Sequence, residues 1–144
     1  MNVKQTYACE AMLLSPAFLG GLSVVISEAS IPAHISQVSV HFRESAYDAS
    51  RTGFHPVEVR LERIEEGWSV VFIASFSYLS SECQALSPEL YFNFKRGWFY
   101  QPDIQTCELN RPEVVSLLAS WSHAFCKHLY HGRFDTIGVT AVKL

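Results

Sequence analysis

The run Trp68-Ser-Val-Val-Phe-Ile-Ala-Ser-Phe-Ser-Tyr78 constrains the fold most. Over Val70 to Ile73 it is apolar on both sides of an extended chain, the pattern of a strand near the middle of a covered sheet. It follows the tight-turn signal Glu65-Glu66-Gly67. Before that turn, Val57, Val59 and Leu61 alternate with Glu58, Arg60 and Glu62 between His55 and Arg63. Period two on one side of a turn and a doubly apolar run on the other predict an antiparallel hairpin. Pro56 marks the start or an edge of its first strand, because proline cannot donate to a ladder.

Other strands flank this hairpin. Val38, Val40 and Phe42 alternate with Ser39, His41 and Arg43, which predicts a half-buried strand. Leu90, Phe92 and Phe94 alternate with Tyr91, Asn93 and Lys95, and Arg96-Gly97 then leads into Trp98-Phe99-Tyr100, a second hairpin. Residues 134–142 read as a last strand, and 44–54 and 80–88 as loops. Two helices are expected. Ser15-Pro16 has the form of a cap followed by proline at the first helical position, and Phe18, Leu22, Val25, Ile26 and Ala29 recur near helical spacing, giving a helix over about 16–29. Gly20-Gly21 inside it predicts a break or a close backbone contact. Val114, Leu117, Leu118, Trp121, Phe125 and Leu129 form an apolar stripe over about 111–131. Asn110 is the expected cap, with Glu113 three residues on. Gly132 stands where a left-handed cap belongs, and Lys127, His128 and His131 read as a solvated helix end. The fold class that follows is α+β: a single domain, its core about 16–142, with a mostly antiparallel sheet of five or six strands and both helices packed on one face.

The 144 residues are 49% apolar and include 10 Phe, 6 Tyr and 3 Trp. A chain of this size buries roughly two-thirds of the surface it exposes when unfolded, so folding calls for no metal, disulfide or cofactor. With 11 Lys plus Arg against 14 Asp plus Glu, the net charge is -3, and there is no general attraction to nucleic acid or anionic membranes. Cys9, Cys83, Cys107 and Cys126 are scattered without a C-x-x-C pair, as expected of reduced thiols in the cytoplasm. The apolar stretch Ala11 to Ile26 is preceded by Glu10 and interrupted by Pro16 and Gly20-Gly21, so neither a signal peptide nor a membrane span is expected.

If the strands at 38–43 and 55–63 are neighbours, His41, Arg43, Glu58 and Arg60 share the face opposite the Val and Phe core. Opposite charges there pair across strands as a solvated ladder. The functional reading is a site for a small polar or anionic ligand, with Arg43 and Arg60 as forked donors and Glu58 orienting one of them. Tyr47, in the adjoining loop, and His55 complete the candidate set. An enzyme with His41 or His55 as general base is the alternative, although alternation puts His55 and Glu58 on opposite faces. His123, Cys126, His128 and His131 lack the i, i+4 spacing and nearby carboxylate of a zinc helix, so no metal site is expected. The aromatics Tyr91, Trp98, Phe99 and Tyr100 beside Lys95 and Arg96 suit base or sugar stacking and, equally, a surface covered by a second copy at an edge hairpin, and dimerisation is the working expectation. A homodimer, a protein partner or a small polar ligand is therefore the expected company.

The runs HFRESAYDASRTGFHPVEVRLER (41–63), FIASFSYLSSECQALSPEL (72–90) and SWSHAFCKHLYHGRFDTIGVT (120–140) resemble an uncharacterised gammaproteobacterial family, the domain of unknown function family 2787. Gly53-Phe-His-Pro-Val-Glu-Val-Arg-Leu61 is the most specific element. Glu44-Ser45-Ala46, where the family carries an Asp-Pro-type pair, and the longer loop before Pro88 depart from its pattern. The resemblance implies a domain boundary and no activity, cofactor or catalytic residue.

Overall fold

The computed structural model describes residues 2–5, 13–45, 47, 53–78, 86–102 and 105–143. Strand β1 (Asn2–Lys4) precedes helix α1 (Pro16–Ser27), and β2 (Gln37–Arg43), β3 (Val57–Ile64), β4 (Gly67–Tyr78), β5 (Leu86–Asn93), β6 (Trp98–Gln101) and β7 (Gln105–Glu108) follow. Helix α2 (Pro112–Tyr130) and strand β8 (Thr136–Ala141) complete the order. The strands form one sheet in the order β7-β6-β5-β4-β3-β2-β8, every neighbour on that path antiparallel, with β1 lying parallel against the start of β4. The doubly apolar run is the centre of the path, as its composition requires.

The class is α+β, but the sheet has eight strands rather than five or six. β1 and β7 are three and four residues long, too short for an alternation to register. β7 pairs with β6, so the β5–β6 hairpin is not an edge. β5 begins at Leu86, inside the expected loop, because Leu86, Ser87 and Pro88 pair with Tyr78, Ser77 and Phe76. The register steps from Ser75↔Leu90 to Phe76↔Pro88, leaving Glu89 as the extra residue of a β-bulge.

One face of the sheet is dry. Val38, Val40, Phe42, Val57, Val59, Leu61, Val70, Ile73, Phe92 and Phe99 are buried there with Phe18, Leu22 and Ile26 of α1 and Val114, Leu118 and Phe125 of α2. Phe125 is the hub, its ring 5.2 Å from Phe18, 5.0 Å from Phe42 and 5.4 Å from Phe134. α1 starts as expected, Phe18 N–H donating to Ser15 Oγ at 3.2 Å. Gly20-Gly21 does not break it. Gly21 is instead where α2 comes close, since an added Cβ would stand 3.0 Å from Leu129 Cδ2. The cap of α2 is Arg111, not Asn110, and it makes no side-chain capping bond. Pro112, fixed at the first helical position, sets that boundary. Gly132, at φ +68°, ends the helix in the left-handed conformation. Among the described residues no helix is long and apolar enough to cross a membrane.

Two polar clusters flanking the sheet

The predicted site residues divide between two places. His41, Arg43, Glu58 and Arg60 lie on the sheet face away from the helices. There Ser39 Oγ donates to Glu58 Oε2 at 2.6 Å while accepting from Arg60 Nε at 2.9 Å, and Arg60 Nη2 reaches the same carboxylate oxygen at 3.3 Å. The Arg60 guanidinium lies 5.1 Å from the centre of the Phe72 ring, and Phe72, Tyr91 and Trp98 continue as a row with successive centroids 4.9 and 5.0 Å apart. Arg60 is thereby committed on both its polar edge and its face.

His41 and Arg43 are not. Neither makes a hydrogen bond or ion pair among the described residues, and both line a depression of about 230 Å³ with Pro56, Val57, Glu58, Phe76 and Leu86. On the neighbouring strand Gly138 and Thr136 stand opposite them, so no large side chain of β8 covers the pair. The Glu58 charge beside them is already engaged by Arg60 and Ser39.

Tyr47 and His55 belong to the second cluster, on the side of the helices. Glu89, turned out of register by the bulge, accepts from Ser75 Oγ at 3.0 Å and holds His55 Nδ1 2.8 Å from the same oxygen. The His55 ring packs 4.7 Å from Tyr47, which is buried and stacks 5.4 Å from Tyr78. Tyr78 N–H donates to the Tyr47 hydroxyl at 3.3 Å. His55 and Glu89 open onto a cavity of about 480 Å³ walled by Gly53, Phe54, Leu90, Gln101 and Trp121. The partner of His55 is thus Glu89 and not Glu58. Sequence reasoning missed it because 34 residues separate the two and because Glu89 sat at an expected loop boundary. Pro88 beside it, inside a strand, was the available signal for a bulge.

The ends of the β2–β3 connection meet between the clusters. Phe54 N–H donates to Glu44 Oε2 at 2.6 Å. His128, expected in solvent, is instead half-buried, its ring 4.6 Å from Phe54 and 4.9 Å from Phe134. Its Nε2 lies 3.4 Å from Glu44 Oε2 but forms no hydrogen bond there. The reason is that α2 runs its last turns over the Phe54–Phe134 contact rather than projecting beyond it. Nearby, the Ser45 hydroxyl and backbone N–H both bond to Asp135, and these bonds, the hydroxyl foremost, hold its carboxyl below the usual range. Burial pushes the Cys126 thiol up, which works against its acting as a nucleophile.

The fold and the two clusters define an α+β domain, and a family model covers most of the chain. The chain is a member of the family described as protein of unknown function (DUF2787), which matches residues 17–140. Among solved structures it is similar to a conserved hypothetical protein from pathogenicity island VPI-2 of Vibrio cholerae, at 28% identity and a TM-score of 0.79 over 96% of this chain and 99% of that one. That protein is described as sharing structural homology with the human P32 protein. A hypothetical protein from the Vibrio cholerae VSP-II island shares the fold at 23% identity and a TM-score of 0.81, over 96% of this chain and 100% of that one. No curated protein matches the chain.

Proposed function

We propose that the chain is a cytoplasmic binding module that takes a small anionic ligand at the His41–Arg43 depression. The observation that carries this reading is that, among the described residues, Arg43 has no partner beside His41, while Glu58, the one carboxylate among the described residues of the depression, is already bound by Arg60 and Ser39. An exposed, unengaged guanidinium is a forked donor suited to a carboxylate or phosphate, and Phe76 and Leu86 offer an apolar wall to the rest of the ligand. Cys107 and Cys126 are free thiols, in keeping with a reducing compartment. Titration with inorganic phosphate and with benzoate, followed by backbone amide NMR, tests it. Shifts at residues 41–43 that weaken at least ~10-fold in Arg43→Ala, equivalent to ~1.4 kcal/mol, are expected. The same shifts in Arg43→Ala as in the parent chain would overturn the reading.

Self-association is a second reading, favoured by β8. This edge strand carries no charged side chain from Thr136 to Ala141, and Ile137 is 41% exposed. An uncharged edge pairs readily with a second copy of itself. Sedimentation velocity should show a dimer that Ile137→Lys returns to monomer, and a monomeric parent chain at high concentration would sink the idea.

A further inference from the structure

The His55–Glu89 cavity lies on the other side of the sheet from the anion site and has the opposite polarity. A carboxylate oxygen can only accept, and Glu89 Oε2 already takes the Ser75 hydroxyl, so across the 2.8 Å contact His55 Nδ1 is the donor. In the neutral imidazole this tautomer leaves a lone pair on Nε2, which has no hydrogen-bond partner among the described residues. Glu89 is the only carboxylate, and no Lys or Arg stands, among the described residues lining the cavity. The remaining wall is aromatic and aliphatic: Phe54, Trp121 and Leu90, with the Gln101 amide as a further polar group.

A cavity with one negative charge, one imidazole acceptor and two aromatic rings discriminates by charge. With the imidazole neutral, a carboxylate or phosphate would meet Glu89 with no Lys or Arg among the described lining residues to offset it. A protonated amine would gain the Glu89 charge, a hydrogen bond to Nε2 and the electron-rich ring faces. The acceptors are also held in advance of binding. Glu89 is fixed by the bulge and by Ser75, and His55 by Glu89 and the Tyr47 ring, so little ordering remains for the ligand to bring about.

We infer that this cavity is a binding site for a small organic cation, a primary ammonium carried on an apolar or aromatic body. It is independent of the anion site and survives that site's failure.

The probes are benzylammonium and benzoate, which share a ring and differ in charge. Each is titrated into the intact chain while the Trp121 indole N–H and the His55 ring nitrogens are followed by NMR. Benzylammonium should shift both sets of resonances and bind at least ~10-fold more tightly there than benzoate. Glu89→Gln should abolish that preference, and Arg43→Ala should leave it intact. Benzoate binding as well as benzylammonium at Trp121 overturns the inference. So does an absence of shifts at Trp121 and His55 from benzylammonium at millimolar concentration. Both outcomes are read on the parent chain and need no variant to fold. Benzoate shifts confined to residues 41–43 belong to the anion site and leave the charge preference at Trp121 as the deciding result.

Discussion

The carboxylate of Glu44 accepts the backbone N–H of Phe54 at 2.6 Å across ten residues of chain, tying the end of β2 to the residue that walls the His55 cavity. Charge-assisted bonds of this kind are among the stronger ones available to a backbone donor, so the two ends of the β2–β3 connection are held together through one side chain.

Gly53 makes that tie possible. Its φ is +93°, and an added Cβ would stand 2.6 Å from Glu44 Oε2 and 3.1 Å from Tyr47 N. Gly53→Ala should therefore cost about 1–3 kcal/mol through strain and crowding together. Urea unfolding measures it, and a loss below ~0.5 kcal/mol, the range of neutral surface changes, would show that the connection yields without resistance.

On the open face, Glu58 and Arg60 act through Ser39 as one unit. Their side chains are 17% and 26% exposed, so the pair lies between a solvated ion pair and a buried one. A double-mutant cycle with Glu58→Gln and Arg60→Gln should give a coupling of about 0.5–1 kcal/mol in stability. A coupling indistinguishable from zero would mean that water competes on equal terms and that Glu58 is free to repel an anion at Arg43.

Asp135 introduces a dependence on pH. Its carboxyl is held below the usual range by the bonds from Ser45, so the folded state binds a proton less readily than the unfolded state. The stabilisation is present above the ordinary aspartate range and is lost as pH falls through the lower folded value. Stability curves of the parent chain and Asp135→Asn should converge in strong acid and separate toward neutrality, with the parent chain more stable. Parallel curves would show that Ser45 does not favour the charged form.

The strands with long alternating runs were legible because side-chain direction alone reports them: Val38 to Phe42, Val57 to Leu61 and the doubly apolar β4. Helix α2 was legible from its stripe. What escaped was whatever depends on a partner distant in sequence. β7 acquires its identity only by pairing Cys107 with Phe99, and Glu89 meets His55 only because a bulge rotates it. Arg43 and Arg60 look equivalent in sequence. Among the described residues only Arg60 is engaged, and that difference is set by Ser39 and Phe72 on neighbouring strands. His128 looked solvated because nothing local says that Phe134 folds back beneath it.

Phe125 tests the core. It is fully buried and packs on rings from α1, β2 and the segment before β8. Phe125→Ala should cost about 3–5 kcal/mol, read by thermal or denaturant unfolding. A cost near 1 kcal/mol would mean that Phe18, Trp121 and Phe134 collapse into the space.

The ladder between β2 and β8 joins Val40 to Val139, and this sets an order of assembly. During synthesis β2 emerges long before its outer neighbour, and at ordinary elongation rates its edge stays bare for roughly 5–20 s. Over that interval the nascent chain presents a β2 edge whose partner in the sheet, β8, has yet to be made.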